Sequence, residues 1–330
     1  MTHIATLAKF ALSVLCLFFV LLGHVSANAQ TQPKDLLSPI HDVGLLAPPD
    51  PPGPGGPKFY NWTGATPNWE IAQWNLPESQ LSPFKRIESG RMTIFFSTSP
   101  EATVKIIKSS QITEVALAQN GTVLPCETAS GIPRESDLLL GPNGDHPNPP
   151  GVPGLAMLGA TNLSLSKMNS LTFEADISII EGNTKTHKGC KVSQGGALLG
   201  IVLSDFVANR PQTMFYQLAF DRLCGVQPAA REAMCLSVPS SPEVFSRVPP
   251  YGTSDFAPLL GIPLMHSGDS REVNVDILPR LKLVIETGPP GIDHNISHWV
   301  IGGLYVGQNI WGDVTMKSNW KNIHLLVLAK

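Results

Sequence analysis

The stretch Leu171-Thr172-Phe173-Glu174-Ala175-Asp176-Ile177-Ser178-Ile179 decides the fold of this 330-residue chain. Phe173, Ala175, Ile177 and Ile179 alternate with Glu174, Asp176 and Ser178. A period of two sends successive side chains to opposite faces of a strand, so this segment has one face to bury and one to hydrate. The same alternation recurs at 214–221, where Gln217 and Asp221 stand opposite Tyr216, Leu218 and Phe220, and at 273–277. Residues 197–206 form a nearly continuous apolar run, and 281–285, 299–305, 308–316 and 323–328 complete the series of expected strands. In the first half, 92–96 and 104–108 are short strand-type runs. Asn120-Gly121 between 114–119 and 122–124 predicts a hairpin, because both turn residues tolerate positive φ. Residues 133–153 read as loop. No segment carries a convincing 3.6-residue apolar stripe. Many short strands joined by Gly/Pro turns (29 Gly, 30 Pro) predict an all-β fold, a two-sheet antiparallel β-sandwich of jelly-roll type.

The ends set the domain plan. Residues 1–29 read as a secretory signal peptide: Lys9, an apolar run over 10–23, and the small-residue site Ala27-Asn28-Ala29. The apolar run is too short for a comfortable membrane span, so no stable span is expected after cleavage. Residues 30–57 contain Ala47-Pro48-Pro49-Asp50-Pro51-Pro52-Gly53-Pro54-Gly55-Gly56-Pro57 and read as a Pro/Gly-rich spacer, with the sandwich expected over 58–330. The chain is thus expected to be secreted or periplasmic. Four cysteines follow the signal: Cys126, Cys190, Cys224 and Cys235. Of the three possible connectivities, Cys224–Cys235 with Cys126–Cys190 is preferred, because the first pair staples a short loop. The net charge of −3 and the lack of a basic run argue against nucleic acid as a partner.

Two aromatic and polar groupings suit a sugar, which offers flat C–H faces to rings and hydroxyls to amides and carboxylates. Trp62, Trp69 and Trp74 lie among Asn, Gln and Glu. In Tyr305-Val306-Gly307-Gln308-Asn309-Ile310-Trp311-Gly312-Asp313, alternation puts Tyr305, Asn309 and Trp311 on one face, and Gln217 is the corresponding amide at 214–221. Glu174 and Asp176 form a third grouping, two carboxylates sharing one strand face at a spacing that suits general acid and base work. Asp293-His294-Asn295-Ile296-Ser297-His298 offers imidazoles, but in a stretch that reads as a loop. The pattern calls for no metal and no cofactor, and no phosphate-binding glycine loop is present.

The alternation over 173–179, the strand 214–221 and the pattern 305–320 resemble concanavalin A-like lectins and glucanases. The resemblance covers roughly 160–330. It implies a curved two-sheet jelly roll that holds a glycan on its concave face. Family 16 glycoside hydrolases of that superfamily carry Glu-x-Asp-x-Glu or the same with one insertion. Glu174-Ala175-Asp176 matches the first half, whereas Ser178 and Ile179 stand where the second glutamate belongs, and Glu181 falls two residues late. The expected function is recognition of a polysaccharide or oligosaccharide on a concave sheet face. The alternatives are an endo-acting glycoside hydrolase using Glu174 and Asp176, and an envelope structural or adhesion module.

Overall fold

A computed structural model describes residues 32–37, 39–40, 43–47, 58–61, 68–74, 85–110, 112–127, 131, 134–142, 163–184, 190, 192–205, 207, 212–225 and 241–330. The expected signal peptide lies outside the described residues, as do Trp62, Cys235 and 48–57 of the expected spacer. Lys34–Lys330 form one compact unit. Its strands in chain order are β1 (Lys34–Asp35), β2 (Val43–Ala47), β3 (Lys58–Asn61), β4 (Trp69–Trp74), β5 (Lys85–Ser89) and β6 (Met92–Thr98). Then come β7 (Ala102–Lys108), β8 (Thr113–Asn120), β9 (Glu135–Pro142), β10 (Met168–Asn183), β11 (Ser193–Asp205) and β12 (Gln212–Ala219). The last six are β13 (Leu223–Gly225), β14 (Glu243–Ser246), β15 (Tyr251–Phe256), β16 (Ser270–Asp276), β17 (Trp299–Trp311) and β18 (Thr315–Ala329). Among the described residues one α-helix, α1, spans Leu278–Glu286.

The strands form two sheets. The first runs β16-β10-β18-β8-β7-β6-β5, with β1 against β18, and the second runs β14-β15-β12-β11-β17-β9-β4-β2-β3, with β13 against β11. Pairing is antiparallel except for β12 with β15 and β2 with β4. The chain crosses between sheets at β8→β9→β10→β11 and again at β16→β17→β18, so β8, β18 and β10 of one sheet answer β9, β17 and β11 of the other. That is jelly-roll winding. It leaves β18 in the middle of the first sheet, paired on both sides.

The core is what the alternation at 171–179 demands. Phe173, Ala175, Ile177 and Ile179 are buried against the second sheet, whose inward residues include Leu199, Ile201, Tyr216, Leu218, Leu304 and Val306. Phe220 locks the two layers together. Its ring lies 6.0 Å from Phe173 and 6.1 Å, edge-on, from Trp320. Each such side chain contributes roughly 1.5–3 kcal/mol by leaving water. One buried polar group is fully linked: Ser318 Oγ donates to Gln308 Oε1 at 2.7 Å, Trp320 Nε1 donates to Ser318 Oγ at 3.0 Å, and Gln308 Nε2 donates to the Met316 carbonyl at 3.2 Å. This chain ties β17 to β18 across the sandwich.

Four local expectations are corrected. Residues 281–285 are helix, not strand: Pro279 sits in the first turn, and Leu278, Leu281, Val284 and Ile285 bury one helical face. Asn120-Gly121 does not turn a hairpin; Asn120 caps a 3-10 turn over Gly121–Val123, and the chain leaves for the other sheet. Residues 135–142, inside the expected loop, are the buried strand β9. The sheets also begin before Lys58, because β1 pairs with β18 and β2 pairs with β3 and β4. Cys126 and Cys190 are joined by a disulfide. The side chain of Cys224 lies outside the described residues.

Candidate functional site

The second sheet has a face turned away from the core, and its cross-strand register arranges that face in rows. One row runs Glu70, Gly141, Tyr305, Gly200, Gln217, Ser254, Glu243. A second, apolar row runs Ala72, Leu139, Gly307, Leu198, Ala219, Phe256. A third runs Asp137, Asn309, Gly196 and ends at Asp221, just past β12. A fourth runs Glu135, Trp311, Gln194. Ala72, Leu139, Leu198, Val202 and Tyr305 form a small apolar cluster on this face, with Phe215 against it. A cleft of about 370 Å³ opens here; Glu135, Gln194, Gln217, Asp221, Asn309 and Trp311 are among the residues that line it.

Glycines bring rings flat onto the sheet. A Cβ on Gly200 would overlap the ring of Tyr305, and one on Gly252 would overlap Phe245. The Tyr305 hydroxyl accepts from Gln217 Nε2 at 3.1 Å, and Ser254 Oγ donates to Gln217 Oε1 at 3.4 Å.

Carboxyl groups set the electrostatics. Burial pushes Glu135 up to about 7, and burial with the neighbouring Glu135 charge raises Asp137 well above the usual carboxylate range. Burial likewise lifts Asp221 to about 7 and Glu70 to about 8. Tyr305 is raised by burial and by the charges of Asp137 and Glu135, which places its ring beside that pair. Residues i and i+2 of a strand lie roughly 6.5–7 Å apart at Cα, so Glu135 and Asp137 are near neighbours. A cluster of this kind holds protons at neutral pH and can pass them to a bound group.

The structure brings Gln217, Tyr305, Asn309 and Trp311 together on this face, as alternation predicts. Trp69 departs from the expected aromatic platform. It is fully buried in the core, because β4 turns Trp69 and Ile71 inward and Glu70 and Ala72 outward. Trp74 pairs through its backbone with Asp137, and its side chain lies outside the described residues. Glu174 and Asp176 are on the outer face of the first sheet, with the sandwich between them and the cleft. Glu174 Oε1 accepts from Asn274 Nδ2 at 2.8 Å, and Asp176 Oδ2 accepts from Asn322 Nδ2 at 2.7 Å. The register of β10 with β18 does shift between Ile179 and Glu181, but Glu181 stays on the first sheet and pairs with Lys317 at 2.5 Å.

Sequence reasoning passed over Glu70, Glu135 and Asp137. The signal for the last two was present: Glu135 and Asp137 precede Leu138-Leu139-Leu140 at the same i, i+2 spacing as Glu174 and Asp176. Metal-ligating atoms also meet elsewhere. Asp205, Asp293 and His298 present ligand atoms within 4.8 Å of one another, with His298 Nδ1 2.6 Å from Asp293 Oδ2. Asp205 lies about 30 Å along β11 from Gly196 at roughly 3.3 Å per residue, so this cluster is separate from the cleft.

No protein-family model matches the sequence, and no curated protein matches it. Solved structures do. The family 11 xylanase from Neocallimastix patriciarum aligns at 7% identity over 78% of this chain and 100% of its own, with a TM-score of 0.41. Endoglucanase 3 of family GH12 from Trichoderma harzianum aligns at 6% identity over 81% and 100%, with a TM-score of 0.35. An endo-1,4-β-glucanase aligns at 15% identity over 76% and 96%, with a TM-score of 0.34. All three scores are below 0.5, and the chemistry of the cleft rests on its own residues.

Proposed function

We propose that the cleft of the second sheet binds a polysaccharide and hydrolyses it by acid–base catalysis, with Glu135 and Asp137 as the working carboxyls. One observation carries the reading: Glu135, which lines the cleft with Asn309, Trp311 and Gln217, has Asp137 beside it on the same strand face, and both carboxyls have raised pKa values. Asp137, the more deeply buried, keeps its proton and donates it to the leaving glycosidic oxygen. Glu135 is ionised above about 7 and supplies the opposing charge. Retaining glycosidases hold their two carboxyls about 5–5.5 Å apart, a separation within reach of an i, i+2 pair, so Glu135 is assigned the nucleophile. The flat face of Trp311 suits a pyranose ring, Asn309 and Gln217 suit its hydroxyls, and the buried Tyr305 holds Gln217 from beneath.

Secretion or a periplasmic location accords with this reading, since polysaccharides are met outside the cytosol. The Cys126–Cys190 disulfide supports an oxidising compartment. The test is reducing-end release from a panel of soluble polysaccharides, read beside retardation in native affinity gels. Release that is lost in Glu135→Gln with retardation kept supports hydrolysis. Retardation without release by the wild type leaves a binding protein that uses the same residues. Neither leaves the envelope structural reading in front.

A further inference from the structure

The charges around the cleft select among glycans. Asp221 is 2% exposed, and it lines the cleft. Its Oδ1 accepts from the Ala197 N–H, and its Oδ2 is buried without a hydrogen-bond partner. The groups that favour its ionised form are backbone N–H donors, at Ala197 and at Asp221 itself; burial outweighs them. The other charged or titratable residues lining the cleft are Glu135, Glu243 and Arg222, and the Arg222 guanidinium is stacked 4.7 Å over the ring of Phe256, while Asp221 Oδ2 has no hydrogen-bond partner. A buried carboxylate in that setting is costly until a cation meets it, and a hydroxyl satisfies its hydrogen bond without offsetting its charge. An ammonium group does both. A uronate would set a second carboxyl against Asp221.

We propose that the cleft takes a glycan bearing free amino groups, with Asp221 Oδ2 receiving a sugar ammonium. This rests on the cleft being a glycan site. Asp137 and Asp221 occupy one row with Asn309 and Gly196 between them. Three interstrand steps of about 4.8 Å put their Cα atoms roughly 14 Å apart, so a sugar held at Asp221 is not the ring over the Glu135–Asp137 pair but one further along the chain.

The experiment measures calorimetric affinity of the full mature chain near neutral pH for four tetrasaccharides: glucosamine, N-acetylglucosamine, cellotetraose and galacturonate. Wild type is compared with Asp221→Asn and with Glu243→Gln. The glucosamine oligomer is expected to bind at least tenfold more tightly than cellotetraose, and the preference is expected to weaken with added salt. Asp221→Asn, which keeps an acceptor for the Ala197 N–H, should erase the preference while cellotetraose affinity holds. The exposed Glu243→Gln should reduce it in part, and it serves as the readout if Asp221→Asn fails to fold. Equal or tighter binding of the neutral, acetylated or uronate oligomer overturns the proposal and leaves the glycan cleft standing. Retention of the preference in Asp221→Asn overturns it too. Binding of none of the four removes this proposal together with the reading beneath it.

Discussion

Gln217 Nε2 donates to the hydroxyl of Tyr305 at 3.1 Å, across β11, over the bare backbone of Gly200. The two strands that bear these residues are not neighbours. The strand between them carries a glycine where any side chain would stand in the way. Tyr305 is therefore held over the outward side of the sheet, buried in the small apolar cluster beneath the cleft.

That arrangement gives a first prediction. Gly200→Ala should displace the Tyr305 ring, lower the melting temperature and weaken oligosaccharide binding together. Tyr305→Phe keeps the ring and removes the hydroxyl, leaving Gln217 Nε2 without that partner. It should cost about 1 kcal/mol of stability and change affinity less than Gly200→Ala does. Thermal melts and binding titrations on both variants check this. A neutral Gly200→Ala contradicts the geometry.

The raised carboxyls make stability depend on pH, with a definite sign. Glu70 has its folded pKa lifted from 4.5 to about 8 by burial, so between those values the folded state holds a proton that the unfolded state has released. Stability from this group is complete below the unfolded pKa and is lost as pH rises through the window, and Glu135 and Asp221 act in the same direction up to about 7. The melting temperature should fall between pH 5 and pH 8. Glu70→Gln should flatten that slope. A melting temperature that rises across the interval contradicts the burial of these groups.

Turnover should follow a bell in pH. The rising limb belongs to ionisation of Glu135 near 7, and the falling limb, at higher pH, to loss of the Asp137 proton. Because the two titrate as a pair, the limbs report the pair. Asp137→Asn should remove the falling limb along with most of the activity, as initial rates across the pH range will show.

Two tertiary ties should be costly to cut. Arg280 on α1 donates from Nε to Asp255 Oδ2 at 2.7 Å and from Nη2 to Oδ1 at 3.1 Å, and Asp255 is fully buried. Removing one partner of such a pair costs about 3–5 kcal/mol, so Arg280→Ala should show that loss in denaturant unfolding. Lysine should restore little of it, because the two-pronged contact is gone. The Cys126–Cys190 bond spans 64 residues of sequence. A loop of that size corresponds to about 4 kcal/mol by chain entropy, so replacing both cysteines with Ala should lower unfolding free energy by about that amount.

The sandwich was legible because β10, β12 and β16 each bury one face, and one-sided burial writes a period of two into the sequence. The cleft was legible in part for the same reason: alternation along β12 and β17 placed Gln217, Tyr305, Asn309 and Trp311 on a shared side. The acids were not found, because β9 is buried on both faces. Its Leu138-Leu139-Leu140 run breaks the alternation, and flanking Pro and Gly residues made it read as loop. Trp69 misled for a related reason. Without the register of β4, a tryptophan among polar residues fits a core as well as a platform. Glu174 and Asp176 have the right spacing for a catalytic pair, but spacing along one strand does not say which sheet the strand joins.

The most direct test compares reducing-end release from polysaccharides by the wild-type chain, Glu135→Gln and Glu174→Gln, with folding of each checked by thermal melt. We expect wild type and Glu174→Gln to release reducing ends at similar rates. We expect Glu135→Gln to be slower by about 10²–10⁴-fold, the usual loss when an acid–base group is removed. Undiminished release by Glu135→Gln, or loss of release in Glu174→Gln with that of Glu135→Gln intact, contradicts the placement of the chemistry in the cleft of the second sheet.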